Sequence, residues 1–194
     1  MLEVAIIITA AGLSTRFPPN KLLQDVSGKT CIEHTLDTFA DFHLDTYVVL
    51  GHEGDLVQKK ILEGNGRDVS FVYNSDYRSG LSSSVIAGIR QAGNAYDYWC
   101  FCPGDKPFIK TETVLKLLNR LEKKTPLILA PYYSKQIGHP IFFSRELGPS
   151  FLTINGDVGG RQLIENYQNR TMKLNVSDHG VVLDMDRYLD SEHV

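Results

Sequence analysis

Two cations, Arg16 and Lys21, sit in a loop that follows the continuous apolar run Val4 to Ala11 and contains one glycine, Gly12. Paired cations beside turns that expose backbone N–H groups are what a polyphosphate needs. With only one glycine, the loop is neither of the two standard glycine-rich nucleotide fingerprints. Asp105, between Gly104 and Pro107, follows the apolar run Tyr98 to Cys102. Magnesium takes one or two carboxylates and completes its shell with substrate phosphates, so Asp105 suits it; a plain turn aspartate is the alternative. Asp184 and Asp186, one residue apart after Val181-Val182-Leu183, are expected to share a strand face and to complete a magnesium site with Asp105.

Further candidates are spread along the chain. Gly80 and the serines at 82–84 read as a helix amino terminus suited to a ribose, a base edge or a phosphate, or simply as a serine cap. His139, in Gly138-His139-Pro140, could be a general base, a donor to a phosphate, or a structural histidine at a strand start. The stretch Asn155 to Arg161 opens a helix with Gly156, Asp157 and Arg161, either as a second anion or polar-ligand site or as a capped loop. Cys100 and Cys102 lack partners at zinc spacing and read as buried thiols. No Ser-His-Asp nucleophile set is discernible.

The elements that must position these groups alternate. Strands are expected at Val4–Ala10, Asp45–Leu50, Val69–Tyr73, Tyr98–Cys102, Leu127–Ala130, Ile141–Phe143 and Met172–Val176. Between them lie amphipathic helices: Thr30–Phe42 with Ile32, Leu36, Phe39 and Ala40 inward, one carrying Leu56, Val57 and Ile61, one after Gly80, and Thr111–Lys124 with Val114, Leu115, Leu117, Leu118 and Leu121 inward. Alternating β and α units with short connections imply a mostly parallel, doubly wound sheet in a three-layer αβα, Rossmann-like domain. Ligands on such sheets collect at the carboxyl ends of the strands, where the Gly12 loop lies.

The 194 residues carry a net charge of −3 and 22% charged side chains, and are expected to form one domain, 1–194. That balance points to neither nucleic acid nor membrane as partner, and no apolar run approaches the length of a bilayer span. Three cysteines make no disulfide framework and fit a reducing cytoplasm.

Ala10-Ala11-Gly12-x-Ser14-x-Arg16-Phe17-x-x-x-Lys21 resembles the phosphate loop of the nucleotidyltransferases related to molybdenum-cofactor cytidylyltransferase, with Pro18 where that family has glycine. Further segments are similar in the same order: Asn74, Gly80-Leu81-x-x-Ser84-Val85 and Gly88; Asp105-x-Pro107; Gly138-His139-Pro140; Gly156-Asp157-x-Gly159-x-Arg161; and Asp184-x-Asp186. Lys106 stands where relatives are apolar, and Arg187-Tyr188-Leu189-Asp190 replaces their late T-P-E-D. The resemblance implies attack of an acceptor phosphate on the α-phosphorus of a nucleoside triphosphate, with release of pyrophosphate. It implies phosphate handling by Arg16 and Lys21, and Mg2+ on Asp105 with Asp184 or Asp186. Nucleotide contacts fall to Ala10, Ala11, Gly12, Ser14, Asn74, Gly80 and Ser84, and acceptor contacts to His139, Gly156, Asp157 and Arg161. A methyl at Ala11, where guanylyl-transferring relatives have glycine, favours CTP over GTP. The acceptor is then molybdopterin, with a molybdenum enzyme as recipient of the product. A sugar or alditol phosphate acceptor, or a non-catalytic molybdenum-cofactor-binding or maturation module, are the alternatives.

Overall fold

The computed structural model describes residues 2–14, 20–64, 68–156 and 159–192. Its centre is β1 (Val4–Ala10), in which Ile6, Ile7 and Ile8 are fully buried. Burial on both faces is possible because the side chains alternate. Ile6 and Ile8 pack with Ile32, Leu36, Val57, Ile61, Leu117 and Leu121. Ala5 and Ile7 pack on the other side with Val85, Trp99, Phe151 and Ile164. Each fully buried isoleucine contributes about 1.5–3 kcal/mol of transfer free energy.

The chain continues through the hairpin β2 (Asp25–Val26) and β3 (Lys29–Thr30), then α1 (Cys31–Asp37), β4 (Thr46–Leu50), α2 (Gly54–Glu63), β5 (Ser70–Tyr73), α3 (Leu81–Ala92) and β6 (Tyr98–Pro103). It goes on to α4 (Thr111–Lys124), β7 (Ile128–Tyr133), β8 (Gln136–Ile137), β9 (Ile141–Ser144), α5 (Gly148–Phe151), α6 (Arg161–Asn166), β10 (Thr171–Asn175) and α7 (Met185–Glu192). The sheet runs β10-β7-β9-β6-β1-β4-β5, with β8 paired to β7. β1 is parallel to β4 and β6, whereas β9 is antiparallel to β6 and β7. Helices α1, α2 and α4 cover one face and α3, α5 and α6 the other, giving the expected doubly wound αβα layers. The chain leaves β1 for β4 and β5, then crosses to β6 on its other side. That reversal opens a crevice at the carboxyl ends of β1 and β6.

Three local expectations are corrected. The helix expected over Thr30–Phe42 stops at Asp37, and a separate 3₁₀ turn at Ala40–Phe42 leaves Ala40 exposed. Leu115, expected inward, is 49% exposed because α4 buries Val114, Leu117 and Leu121. Asp184 and Asp186 do not lie on a strand. Val181 ends a 3₁₀ turn, Asp184 precedes α7, and Asp186 is in its first turn. The apolar run that reads as a strand is buried for another reason: Val181 packs against Gly138, where even a Cβ would meet it at 2.6 Å.

Candidate active site

The carboxyl end of β6 delivers Asp105. The backbone N–H of Gly104 donates to the Thr9 carbonyl at the end of β1 (2.9 Å), and the Thr35 hydroxyl donates to the Gly104 carbonyl (2.9 Å). The turn is therefore tied to both β1 and α1. The backbone N–H of Met185 then donates to the Asp105 carbonyl (3.0 Å), which docks the start of α7 onto this turn and brings the late acids to the early one.

Lys21 arrives from a 3₁₀ turn (Lys21–Leu23) capped by Asn20. The fully buried Asn20 side chain accepts from the Leu22 N–H and from the Ser14 hydroxyl, both at 3.1 Å, so it fastens the two ends of the intervening loop. The Lys21 ammonium lies 2.6 Å from Asp105 Oδ2 and 3.3 Å from Asp186 Oδ1. Burial works against its charge, but the two carboxylates outweigh burial and hold the ammonium above its usual range. Asp184 is differently placed. Its Oδ1 accepts from the Arg187 N–H at 2.9 Å, capping α7, and its Oδ2 is 3.6 Å from the Lys106 ammonium. Among the described residues no three His, Cys, Asp or Glu side chains form a metal-holding group. Asp105 and Asp186, sharing one cation, offer the hard oxygen pair that magnesium takes when phosphates supply the rest of its shell.

Around these charges lies a cleft of about 510 Å³, lined by Ala10, Ala11, Gly12, Ser14, Lys21, Gly80, Ser84, Asp105, Lys106, His139 and Asp184. The first turn of α3 faces it, preceded by Gly80 at φ 102°, a conformation that glycine adopts without penalty. Gly80 supplies no side-chain cap, and Gly80, Leu81 and Ser84 bring the amino end of this 12-residue helix to the cleft wall. Asn74 is placed behind this wall. Its amide donates to the Ser83 and Ser84 hydroxyls at 2.9 and 3.0 Å, and its carbonyl accepts from the Asp76 N–H.

A second groove of about 770 Å³ adjoins the first and shares Thr9, Leu81, Pro103 and His139 with it. Phe101, Ile137, Ile141, Phe143 and Ile164 give it apolar lining, and Lys135, Arg161, Lys173 and Arg187 bring positive charge. Arg161 is also paired with Glu165 at 3.4 Å. His139 sits at the junction, its Nδ1 3.5 Å from the Phe101 carbonyl. Burial, helped by the Lys106 charge, lowers its pKa to about 4, so the imidazole is neutral at pH 7 and a poor general base there.

Residues 6–171 match the MobA-like NTP transferase domain, and that match decides the family. The chain belongs to that family. Among curated MobA-like and related proteins, the molybdenum cofactor cytidylyltransferase of Escherichia coli K12 is 25% identical over 146 residues, covering 75% of this chain and 72% of that protein. The bifunctional protein GlmU of Saccharophagus degradans is 31% identical over 118 residues, 60% of this chain but only 25% of the length of that longer protein. Rv0371c of Mycobacterium tuberculosis H37Rv superposes with a TM-score of 0.82 at 23% identity, covering 99% of this chain and 96% of that one. Its manganese complex also matches, with a TM-score of 0.73 at 21% identity over 90% of this chain and 88% of that one. At these identities the likeness to Rv0371c is one of fold.

Within this MobA-like domain, Ala10, Ala11, Gly12, Ser14, Lys21, Gly80, Ser84, Asp105, His139 and Asp184 come together around one cleft, and Asp186 joins them through Lys21. Arg161 lines the adjoining groove, whereas Gly156 lines neither. Arg16 and Asp157 lie outside the described residues. Several lining residues escaped sequence reasoning: Tyr77 and Arg78 at the cleft, and Lys135, Lys173 and Arg187 at the groove. The anchoring roles of Asn20 and Asp178 were equally hidden. Asp178 is 4% exposed and accepts from Lys110 N–H, the Thr113 hydroxyl and Gly180 N–H. The pattern Asp178-x-Gly180 ahead of an apolar run was the available signal for such a cap. A further cavity of about 580 Å³ opens at the amino ends of β4 and β5, away from this chemistry.

Proposed function

We propose that the chain transfers CMP from CTP to a phosphorylated acceptor, molybdopterin in particular, with release of pyrophosphate. The observation that carries this reading is the Lys21 ammonium between Asp105 and Asp186, in a cleft that joins a second, cation-bearing groove at Thr9, Leu81, Pro103 and His139. The cleft suits a nucleoside triphosphate: the α3 amino end and the Gly12 loop supply N–H donors, and Lys21, with Arg16 from the same loop, supplies positive charge for the phosphates. The groove offers the aromatic faces of Phe101, Tyr132 and Phe143 for stacking, with Gln136 and several cations beside them. It so suits a flat, hydrogen-bonding heterocycle bearing an anionic group, which favours a pterin over a sugar or alditol phosphate. The cytidylyl choice draws on the similarity to the E. coli cytidylyltransferase and on Ala11 in the cleft wall.

In the reaction an oxygen of the acceptor phosphate forms a bond to the α-phosphorus of CTP, and the bond from that phosphorus to the β-phosphate bridge oxygen breaks. The electron pair leaves with pyrophosphate. A phosphate nucleophile is already ionised at neutral pH, so a neutral His139 orients the acceptor and withdraws no proton. The protein's work is alignment and neutralisation of charge. Asp105 and Asp186 would hold Mg2+, which supplies Lewis-acid stabilisation of the phosphates. The manganese complex of Rv0371c supports a divalent cation in this fold.

The test is pyrophosphate release with Mg2+ and each of CTP, GTP, ATP and UTP, with and without molybdopterin. Release only with CTP and the pterin is the expected result. Release with a sugar or alditol phosphate instead would transfer the assignment to that acceptor. Nucleotide binding without release under any condition would favour a molybdenum-cofactor-binding or maturation module.

A further inference from the structure

Lys106 occupies the middle of Asp105-Lys106-Pro107 and is 7% exposed, yet it lines the nucleotide cleft. A buried ammonium is costly unless its donors are matched. Lys21 shows what matching looks like here, with carboxylate oxygens at 2.6 and 3.3 Å. Lys106 has no such match. Its one ion-pair partner among the described residues is Asp184 Oδ2 at 3.6 Å, beyond good hydrogen-bond length. Asp184 is also held away from it, because its other oxygen caps α7 through the Arg187 N–H. The neighbouring imidazole of His139 bonds to the Phe101 carbonyl, at the point where cleft and groove share residues. The Lys106 ammonium thus opens on the cleft with no carboxylate oxygen closer than 3.6 Å among the described residues. It lies beside the His139 that cleft and groove share, on the side from which an acceptor phosphate would approach the α-phosphorus.

We propose that Lys106 is the binding residue for the phosphate monoester of the acceptor substrate, distinct from Lys21, which serves the triphosphate. The inference rests on the transferase reading above and deepens it by assigning the acceptor's anion to a particular side chain. Bringing a phosphate dianion against a triphosphate is opposed by strong like-charge repulsion. A fixed ammonium at the junction offsets that repulsion and aims one phosphate oxygen at phosphorus. Phosphate oxygens in turn complete the donors that Asp184 leaves short.

Binding of inorganic phosphate and of a non-hydrolysable α,β-methylene CTP analogue to the full chain, measured by calorimetry in EDTA, tests the assignment. Lys106→Met should weaken phosphate binding roughly tenfold or more, since a charge-assisted contact is lost, while analogue binding changes by less than about threefold. Asp184→Asn keeps the α7 cap but withdraws the competing charge, and should tighten phosphate binding; adding Lys106→Met should abolish that gain. Thermal unfolding supplies a second readout. Lys106→Met should be at least as stable as the parent, because an under-matched buried charge is replaced by an apolar chain. Lower stability with unchanged phosphate binding would identify a structural ion pair and overturn the proposal. Equal loss of phosphate and analogue would also overturn it, placing Lys106 on the triphosphate. If the binding results hold but no acceptor supports turnover, the phosphate site stands and the transferase reading fails.

Discussion

Asp105 and Lys21 illustrate how much rests on single side chains. Asp105 meets Lys21 through its carboxylate and holds α7 through its backbone, so the two roles are separable by substitution. Asp105→Asn keeps shape and backbone bonds but removes the charge. Turnover should fall about a hundredfold or more, with circular dichroism and unfolding midpoint little changed. Full turnover in this variant would remove Asp105 from the metal and phosphate chemistry. His139 makes a pH-dependent prediction. In the unfolded chain an imidazole takes up its proton near pH 6.5, whereas in the fold His139 does so at about 4. As pH falls between those values the unfolded chain binds the proton first, so stability present above 6.5 is drawn down by about 3 kcal/mol. His139→Asn should flatten that part of the stability–pH curve. Urea unfolding at pH 7 and at pH 4.5 measures it.

At the scale of elements, two tight contacts decide where the site's walls stand. α3 lies so close to β1 that a Cβ at Gly88 would meet Ile7 Cγ2 at 2.5 Å and Val49 Cγ2 at 3.2 Å. Gly88→Ala should therefore cost about 1–3 kcal/mol by overpacking and raise the KM for nucleotide, because the helix that carries Ser84 must shift. The second contact is the Asp178 tether, which fixes the chain to the start of α4 just before it delivers Asp184 and Asp186. Asp178→Ala strands several buried donors and should cost about 3 kcal/mol. Turnover should fall as well, although Asp178 touches neither cleft nor groove; denaturant unfolding and pyrophosphate release report the two effects.

Across the whole molecule, the two faces of the sheet are closed by separate apolar clusters, and at the carboxyl ends of β1 and β6 the described residues form the paired cleft and groove. Lys21 offsets one of the two negative charges of Asp105 and Asp186, and the Asp105 turn is tied to β1, α1 and α7 by hydrogen bonds, so a cation bound there is expected to serve turnover rather than folding. Treatment with EDTA should abolish turnover while leaving the unfolding midpoint within a few degrees, and added Mg2+ or Mn2+ should restore it. A large loss of stability on chelation would mean that the cation is structural. Removal of the cationic groove's influence by salt gives a parallel check: the acceptor KM should rise with ionic strength, because partly exposed charges are screened.

Much of this was legible in the chain itself, because it depended on local pattern. Buried β-branched runs at Val4–Ala10 and Thr46–Leu50 read as strands covered on both faces, the pattern of a helix-flanked parallel sheet, and the glycine, cation and carboxylate positions that follow such runs point to a ligand crevice by type and order. Other features depended on distant partners. Val181-Val182-Leu183 has strand composition but is buried by Gly138 and tethered by Asp178, so the acids after it belong to a helix start and meet different lysines. Lys106 looks like any turn lysine until the docking of α7 encloses it. Composition and spacing determined that a glycine, cations and carboxylates would follow the buried strands β1 and β6. Only the tertiary structure decided which carboxylate faces which cation, because that choice is made by contacts between residues about 80 to 165 positions apart.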